Sequence, residues 1–237
     1  MRLFALLFFL FYKTALLFSA DAVVFAYHRF NDEKHKSTNI SNEKLKTDFT
    51  YLKENNYKVV PLSKIVDMIK KNIPIPEKTI ALTIDDNYKS FYENGLPIFK
   101  EFGYPFTLYV YVEGTEKKYG DFMRWREIIE TSKYGEIGLH SYSHPRLTHL
   151  SNDEILNDTI KAKTIFENRI GFSPKSYSYP YGESDERTQK IIKSFGFDFI
   201  CNQNSGVITN LSDTNDIDRI AVSDTTDIKQ KLHIKAL

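Results

Sequence analysis

"TIALTIDDNYKSFYENGLPIFKEFGYPFTLYVYV" (residues 79–112) decides the fold. Residues 79–85 form a compact apolar run that closes on two acids, Asp85 and Asp86. Its length and apolar character suit a strand buried on both faces. The stretch 88–102 reads as a helix, and "PFTLYVYV" (105–112) as a second strand. Strand, helix and strand in this order make a βαβ unit, whose two strands lie parallel.

The same alternation extends in both directions. "AVVFAYH" (22–28) is a strand ahead of two helices, 41–57 and 63–72. The first carries Leu45, Phe49 and Leu52 at helical spacing behind a capping Ser41. Beyond residue 112 come a helix at 125–135, a strand "EIGLH" (136–140) and a long helix to about 170. Ser151 and Glu154 form a capping box that opens this long helix. "KSYSYP", "DERTQKIIKSFG", "FDFICN" and "IDRIAV" (217–222) continue as strand, helix, strand and strand. No linker, repeat or low-complexity tract interrupts the series. Residues 21–237 therefore read as one α/β domain, an α/β barrel or a doubly wound sheet.

In barrels of this kind chemistry collects where the strands end. Four predicted strands end in reactive residues: Tyr27-His28, Asp85-Asp86, His140 with His144 four residues on, and "SYPYG" (178–182). Parallel strands bring all four ends to one rim. Taken singly, each has a plain explanation. Two histidines four apart are weak evidence for a metal. Adjacent acids often face a helix N-terminus, and "YPYG" reads as a turn. Pro145 disfavours helix at His144, which places the pair on a turn. Asp85 follows an apolar run, so it is expected to be partly buried and to need a cationic partner.

Together they make a metal site. Asp86, His140 and His144 are the expected ligands, two imidazoles and a carboxylate with a position left open for water. Such a centre activates water and polarises a carbonyl. Asp85 stays off the metal as general base, and the backbone N–H of Tyr181 is placed to bind an oxyanion. The reaction is metal-assisted hydrolysis of an amide or ester. The expected cofactor is a divalent metal, zinc first, with cobalt or nickel also accepted by this ligand set.

Composition narrows the classes. A formal net charge of +1 in 237 residues gives no field that steers the chain to nucleic acid. Cys201 is the only cysteine, which excludes an internal disulfide and a cysteine-based zinc cluster. Tyr and Phe number 15 and 18, enough for a thick core and for rings that stack on sugars. "MRLFALLFFLFYKTALLFSA" (1–20) reads first as a cleaved signal peptide, then as an uncleaved anchor, then as a buried helix. Lys13 breaks its apolar run, and Phe18 stands where cleavage favours a small residue. The first two readings put the protein outside the cytoplasm, periplasmic, in the cell envelope or secreted, with membrane proximity through residues 1–20.

"LTIDDNYKSFYENGLPIFKEFGYPFTLYVYV", "EIGLHSYSHPRLTHLS" and "YSYPYGESDE" resemble the polysaccharide deacetylase family, also called the NodB-homology domain or carbohydrate esterase family four. The resemblance covers most of residues 22–222. It implies a distorted (β/α) barrel and an acetylated glycan substrate: chitin, peptidoglycan, poly-N-acetylglucosamine or, through O-acetyl groups, xylan. It assigns Asp85 as base, Asp86, His140 and His144 as ligands, and Tyr181 as the oxyanion residue. "YHRF" is similar to the poly-N-acetylglucosamine branch, which makes His28 a substrate contact or acid. Three positions depart from the pattern. Asn87 replaces a glycine, and Asn tolerates unusual backbone angles. Ser178 replaces an arginine that holds the base, which leaves Arg219 as the substitute. His233 in "KLHIK" sits out of register with the usual acid histidine. His149, His35, Trp125 and Cys201 read as packing or surface residues. Two rival classes stay open: a glycan-binding module without turnover, and a hydrolase of a formyl group or cyclic amide on the same metal centre.

Overall fold

A computed structural model describes residues 21–233, so the leader reading of residues 1–20 lies outside the described residues. The first strand, β1 (Val23–Tyr27), is buried throughout. It is followed by the short strands β2 (Arg29–Phe30) and β3 (Asn39–Ile40), which pair with each other. Next come α1 (Asn42–Glu54), β4 (Lys58–Val59), α2 (Leu62–Lys70) and β5 (Thr79–Ile84). Then follow α3 (Leu96–Phe102), β6 (Thr107–Val110), α4 (Val112–Glu116), α5 (Trp125–Thr131) and β7 (Glu136–Leu139). The chain continues through α6 (Asn152–Ile170), β8 (Ser176–Ser178), α7 (Glu186–Lys193), β9 (Phe199–Cys201), β10 (Ile220–Ala221) and α8 (Ile228–Lys231).

The main sheet has eight strands in the order β10-β1-β5-β6-β7-β8-β9, with β4 on β5 off this path. Every pairing among them is parallel. One edge of β5 is shared: β4 takes Thr79 and Ile80, and β6 takes Thr83 and Ile84. The sheet curls until its edges meet. Ile217 pairs with Cys201 of β9, and three residues later β10 pairs with β1. Parallel ladders need crossovers, and the helices supply them, covering the outer face. The largest fully buried side chain among the described residues is that of Arg219.

The expected elements are present, with three informative differences. The strand expected over 105–112 stops at Val110. The Tyr111 N–H donates instead to Asn87 Oδ1 at 2.7 Å, which takes it out of the ladder, and α4 starts at once. The helix expected from residue 88 begins as a wide turn, Phe91–Gly95, in which the Leu96 N–H reaches the Phe91 carbonyl. Pro97 has no N–H for the next regular bond, so the wider turn absorbs the break. The last strand shrinks to two residues because Ile217 is spent on β9 and the Arg219 N–H on the Asn204 carbonyl. The capping box of α6 forms in full, Ser151 with Glu154, and Gly171 at φ 89° ends that helix.

Candidate metal centre and catalytic cleft

Because the strands run parallel, the exits of β1, β5, β7, β8 and β10 share one rim. A cleft of about 700 Å³ opens there, lined by His28, Asp85, Asp86, His140, His144 and Tyr181 among others. All six residues expected at the site line this one cleft. His233 is exposed after α8 and does not line it, nor do His35 and His149. Trp125 packs against the core and donates from Nε1 to Glu116 at 2.5 Å.

Asp86 faces both histidines with one oxygen: Oδ1 lies 3.1 Å from His144 Nε2 and 3.4 Å from His140 Nε2. The three ligand atoms fall within 4.8 Å of one another. His140 Nδ1 contacts the Ser178 carbonyl at 2.7 Å. A carbonyl only accepts, so Nδ1 carries the hydrogen and Nε2 turns a lone pair toward the carboxylate. Two imidazole nitrogens and a carboxylate oxygen converging on one point need a cation between them, a metal or a proton. The donor set therefore fits a divalent metal. Burial would raise the pKa of Asp86, but its bonds to His140 and His144 outweigh that and hold it well below the usual carboxylate range. Burial would likewise lower His140, yet the charges of Asp85 and Asp86 raise it.

Asp85 points elsewhere. Arg219 reaches under the rim from the neighbouring wall and grips it, Nη1 to Oδ1 at 2.8 Å and Nη2 to Oδ2 at 2.7 Å. Arg219 is itself pinned by the Asn202 carbonyl at 2.8 Å, Thr83 Oγ1 at 3.0 Å and Ser178 Oγ at 2.8 Å. Ser178 also lies 3.3 Å from Asp85 Oδ2. The residue standing where an arginine was expected thus supports an arginine that enters from the segment just before β10. Burial alone would raise the Asp85 pKa, but the Arg219 charge overrides it and holds the carboxyl at about 2. His28 sits half-buried beside these groups; burial lowers its pKa against the pull of Asp85 and Asp86.

Strained backbone marks the rim. Asp86, Asn87, Ser141, His144 and Tyr181 all have positive φ, between 43° and 69°. Such angles cost free energy in residues other than glycine, least in Asn, Asp and His, and bonds from the surroundings hold them here. At Asn87 those bonds are visible: the buried side chain accepts from Tyr111 and donates to Thr115 Oγ1 at 3.0 Å. At Ser141 and His144, the His144 N–H bonds Ser141 Oγ at 2.9 Å.

Sequence reasoning missed part of the cleft wall. Tyr88, Arg146, Glu183 and Ser223 line it too. The Arg146 guanidinium lies 4.3 Å over the Tyr181 ring and pairs with Glu183, and that ring in turn sits 4.6 Å from His144. "DDNY" and "SHPR" held the signal for Tyr88 and Arg146, since both adjoin the ligand motifs.

A curled parallel sheet with an Asp-His-His cluster at its rim defines a class. Residues 72–200, more than half of the chain, match the family described as polysaccharide deacetylase, and the chain belongs to that family. It is 23% identical to the poly-beta-1,6-N-acetyl-D-glucosamine N-deacetylase of Escherichia coli (strain K12), over 88% of this chain and 37% of that protein. The chain thus spans little more than a third of that relative's length. It is 24% identical to the protein of the same name from Staphylococcus aureus (strain MSSA476), over 84% of this chain and 73% of that protein. The fold is also that of the Streptococcus pyogenes deacetylase PplD in complex with acetate, with a TM-score of 0.83 at 16% identity, covering 91% of this chain and 100% of that one. Among the described residues no helix is long and apolar enough to cross a membrane.

Proposed function

We propose that the protein is a metal-dependent hydrolase that removes N-acetyl groups from a cell-surface or exported polysaccharide, poly-N-acetylglucosamine or a peptidoglycan-like glycan. One observation carries this reading: Asp86, His140 and His144 meet at one point, with Asp85 beside them and turned onto Arg219.

Asp86, His140 and His144 would hold the cation, zinc first, with cobalt and nickel compatible with the same donors. When bound, it supplies Lewis acidity toward the acetyl carbonyl and the attacking water. Asp85 takes the proton of that water. Its lowered pKa keeps it ionised at neutral pH and so free to accept that proton. Arg219 fixes its direction. The backbone N–H of Tyr181 donates to the acyl oxygen as charge develops there. His28, next to Asp85 at the exit of β1, contacts the sugar or protonates the leaving nitrogen. Residues 21–237 form the catalytic domain, and residues 1–20 take it outside the cytoplasm as a cleaved leader or an anchor.

Metal content measured together with acetate release from poly-N-acetylglucosamine and peptidoglycan tests the proposal, with Asp86→Ala as control. One equivalent of zinc and acetate from at least one glycan is expected. A wild type that holds no divalent ion, or that holds one and releases no acetate from any acetylated glycan, overturns it.

A further inference from the structure

Arg29 directly follows His28, is only 6% exposed, and does not line the cleft. Its guanidinium joins three separate segments. Nη1 lies 2.6 Å from Asp32 in the following turn, and Nη2 lies 2.5 Å from Asp121 in the loop before α5. Its plane rests 3.5 Å over the ring of Tyr88. Tyr88 lines the cleft and stands two residues after the ligand Asp86.

The loop that Arg29 grips is itself tied to the ligand turn. Tyr88 and Phe122 form an antiparallel bridge with rings stacked at 5.1 Å. The Lys89 N–H donates to the Asp121 carbonyl at 2.8 Å, and the Met123 N–H to the Asn87 carbonyl at 3.0 Å. Asp86 and Asn87 are consecutive residues at φ 69° and 43°, a turn that needs restraint from outside. Asn87 supplies it on the β6 side through Tyr111 and Thr115. Arg29 and the Asp121 loop close the other side.

We propose that Arg29 is a positioning residue for the metal centre: by clamping the Asp121 loop and the Tyr88 ring together, it fixes the strained turn that aims Asp86. This rests on the reading of Asp86 as a metal ligand. Two carboxylates already share the Arg29 charge, so its influence on the metal comes through placement rather than through its own field. The task suits a guanidinium alone. A planar fork spans two carboxylates and stacks on a ring, whereas an ammonium is a point charge that can do one of these.

The experiment compares full-length Arg29→Met, Arg29→Lys, Asp121→Asn and Asp86→Ala with wild type. Zinc affinity is read by competition with a chromogenic chelator, cobalt geometry by its visible absorption, and kcat and KM on the best glycan. The melting temperature of the metal-free protein is recorded in parallel. Zinc affinity and kcat are expected to fall about 10- to 100-fold in Arg29→Met, the range for groups that orient metal ligands from behind. The cobalt spectrum should change, KM should move little, and Arg29→Lys should not rescue. Asp121→Asn should show the same pattern more weakly, and it carries the test if Arg29→Met fails to fold. Wild-type zinc affinity, cobalt spectrum and kcat in Arg29→Lys and Asp121→Asn, whatever their melting temperatures, would make Arg29 a structural clamp and overturn the proposal. Wild-type zinc binding by Asp86→Ala instead removes the metal assignment beneath it, a separate failure.

Discussion

One guanidinium holds both oxygens of Asp85, with Arg219 Nη1 and Nη2 at 2.8 and 2.7 Å. The side chains are 0% and 2% exposed, so neither charge has water to fall back on. Removing one partner of such a pair strands the other. Arg219→Met is expected to cost about 3–5 kcal/mol in urea unfolding and to abolish acetate release. Arg219→Lys should recover part of the stability and little of the activity, since a single ammonium cannot set the direction of both oxygens. Equal activity in Arg219→Lys and wild type would show that charge alone suffices.

The same pair sets a pH dependence. Asp85 has its folded pKa at about 2, below the ordinary 3.8. A depressed carboxylate adds stability that is whole above the higher value and is lost as pH falls through the lower one. The span corresponds to about 2 kcal/mol. In metal-free protein, the stability gap between wild type and Asp85→Asn should therefore shrink as pH is lowered from about 4 to about 2. A gap that stays constant over that range refutes the depressed value.

Metal removal gives a third prediction. A cation that binds only the folded chain stabilises it by about 2.7 kcal/mol when present at a hundred times its dissociation constant. A chelator should lower the melting temperature, and zinc should restore it. In Asp86→Ala the melting temperature should be indifferent to both, because the oxygen facing the two imidazoles is gone. A zinc-dependent shift that survives in Asp86→Ala would place the ion elsewhere.

Much of this was legible in the sequence because motif and fold report each other. "TIALTIDD" is readable because a short, mostly apolar run rich in β-branched residues suits a buried strand, which puts the acids at its end at the rim. The capping box at Ser151 and the turn at Pro145 are local signals, and both held. The Arg219–Asp85 contact was legible through a vacancy, Ser178 in place of an arginine, which left Arg219 as the substitute, but not through any local pattern. The two residues are 134 positions apart, and their meeting depends on how the sheet curls shut. Both Arg219 and His28 lie outside the 72–200 span that matches the family. The Arg29 clamp was hidden for the same reason: Asp121 sits 92 residues away in a loop with no pattern of its own. Strand ends were misjudged where a side chain captured a backbone N–H, as Asn87 does at Tyr111.

Tyr181→Gly separates the role proposed for the Tyr181 backbone from one for its ring. Its φ of 60° suits glycine, so Tyr181→Gly keeps the turn and the backbone N–H while removing the ring. The ring packs against His144 and under Arg146. If the N–H serves the acyl oxygen and the ring serves the sugar, Tyr181→Gly should raise KM several-fold and keep kcat within about tenfold. A loss of 10²–10³ in kcat, the size expected for removal of an oxyanion donor, would assign the chemistry to the side chain instead.

Asn87 tests whether a departure from the family pattern is tolerated or required. Restoring glycine relieves a φ of 43°, which favours the variant. It also deletes a fully buried amide that accepts from the Tyr111 N–H at 2.7 Å and donates to Thr115 at 3.0 Å. A buried N–H left without a partner costs about 1–3 kcal/mol, more than glycine gains at a positive φ that asparagine already tolerates. Asn87→Gly is therefore expected to lower stability by about 1–2 kcal/mol in urea unfolding and to weaken zinc binding, since Asp86 precedes it on the same turn. Asn87→Asp keeps an acceptor for Tyr111 but sets a second charge beside the cluster and should be worse. A more stable Asn87→Gly would mean that the turn at Asp86 is held by the Asp121 loop alone.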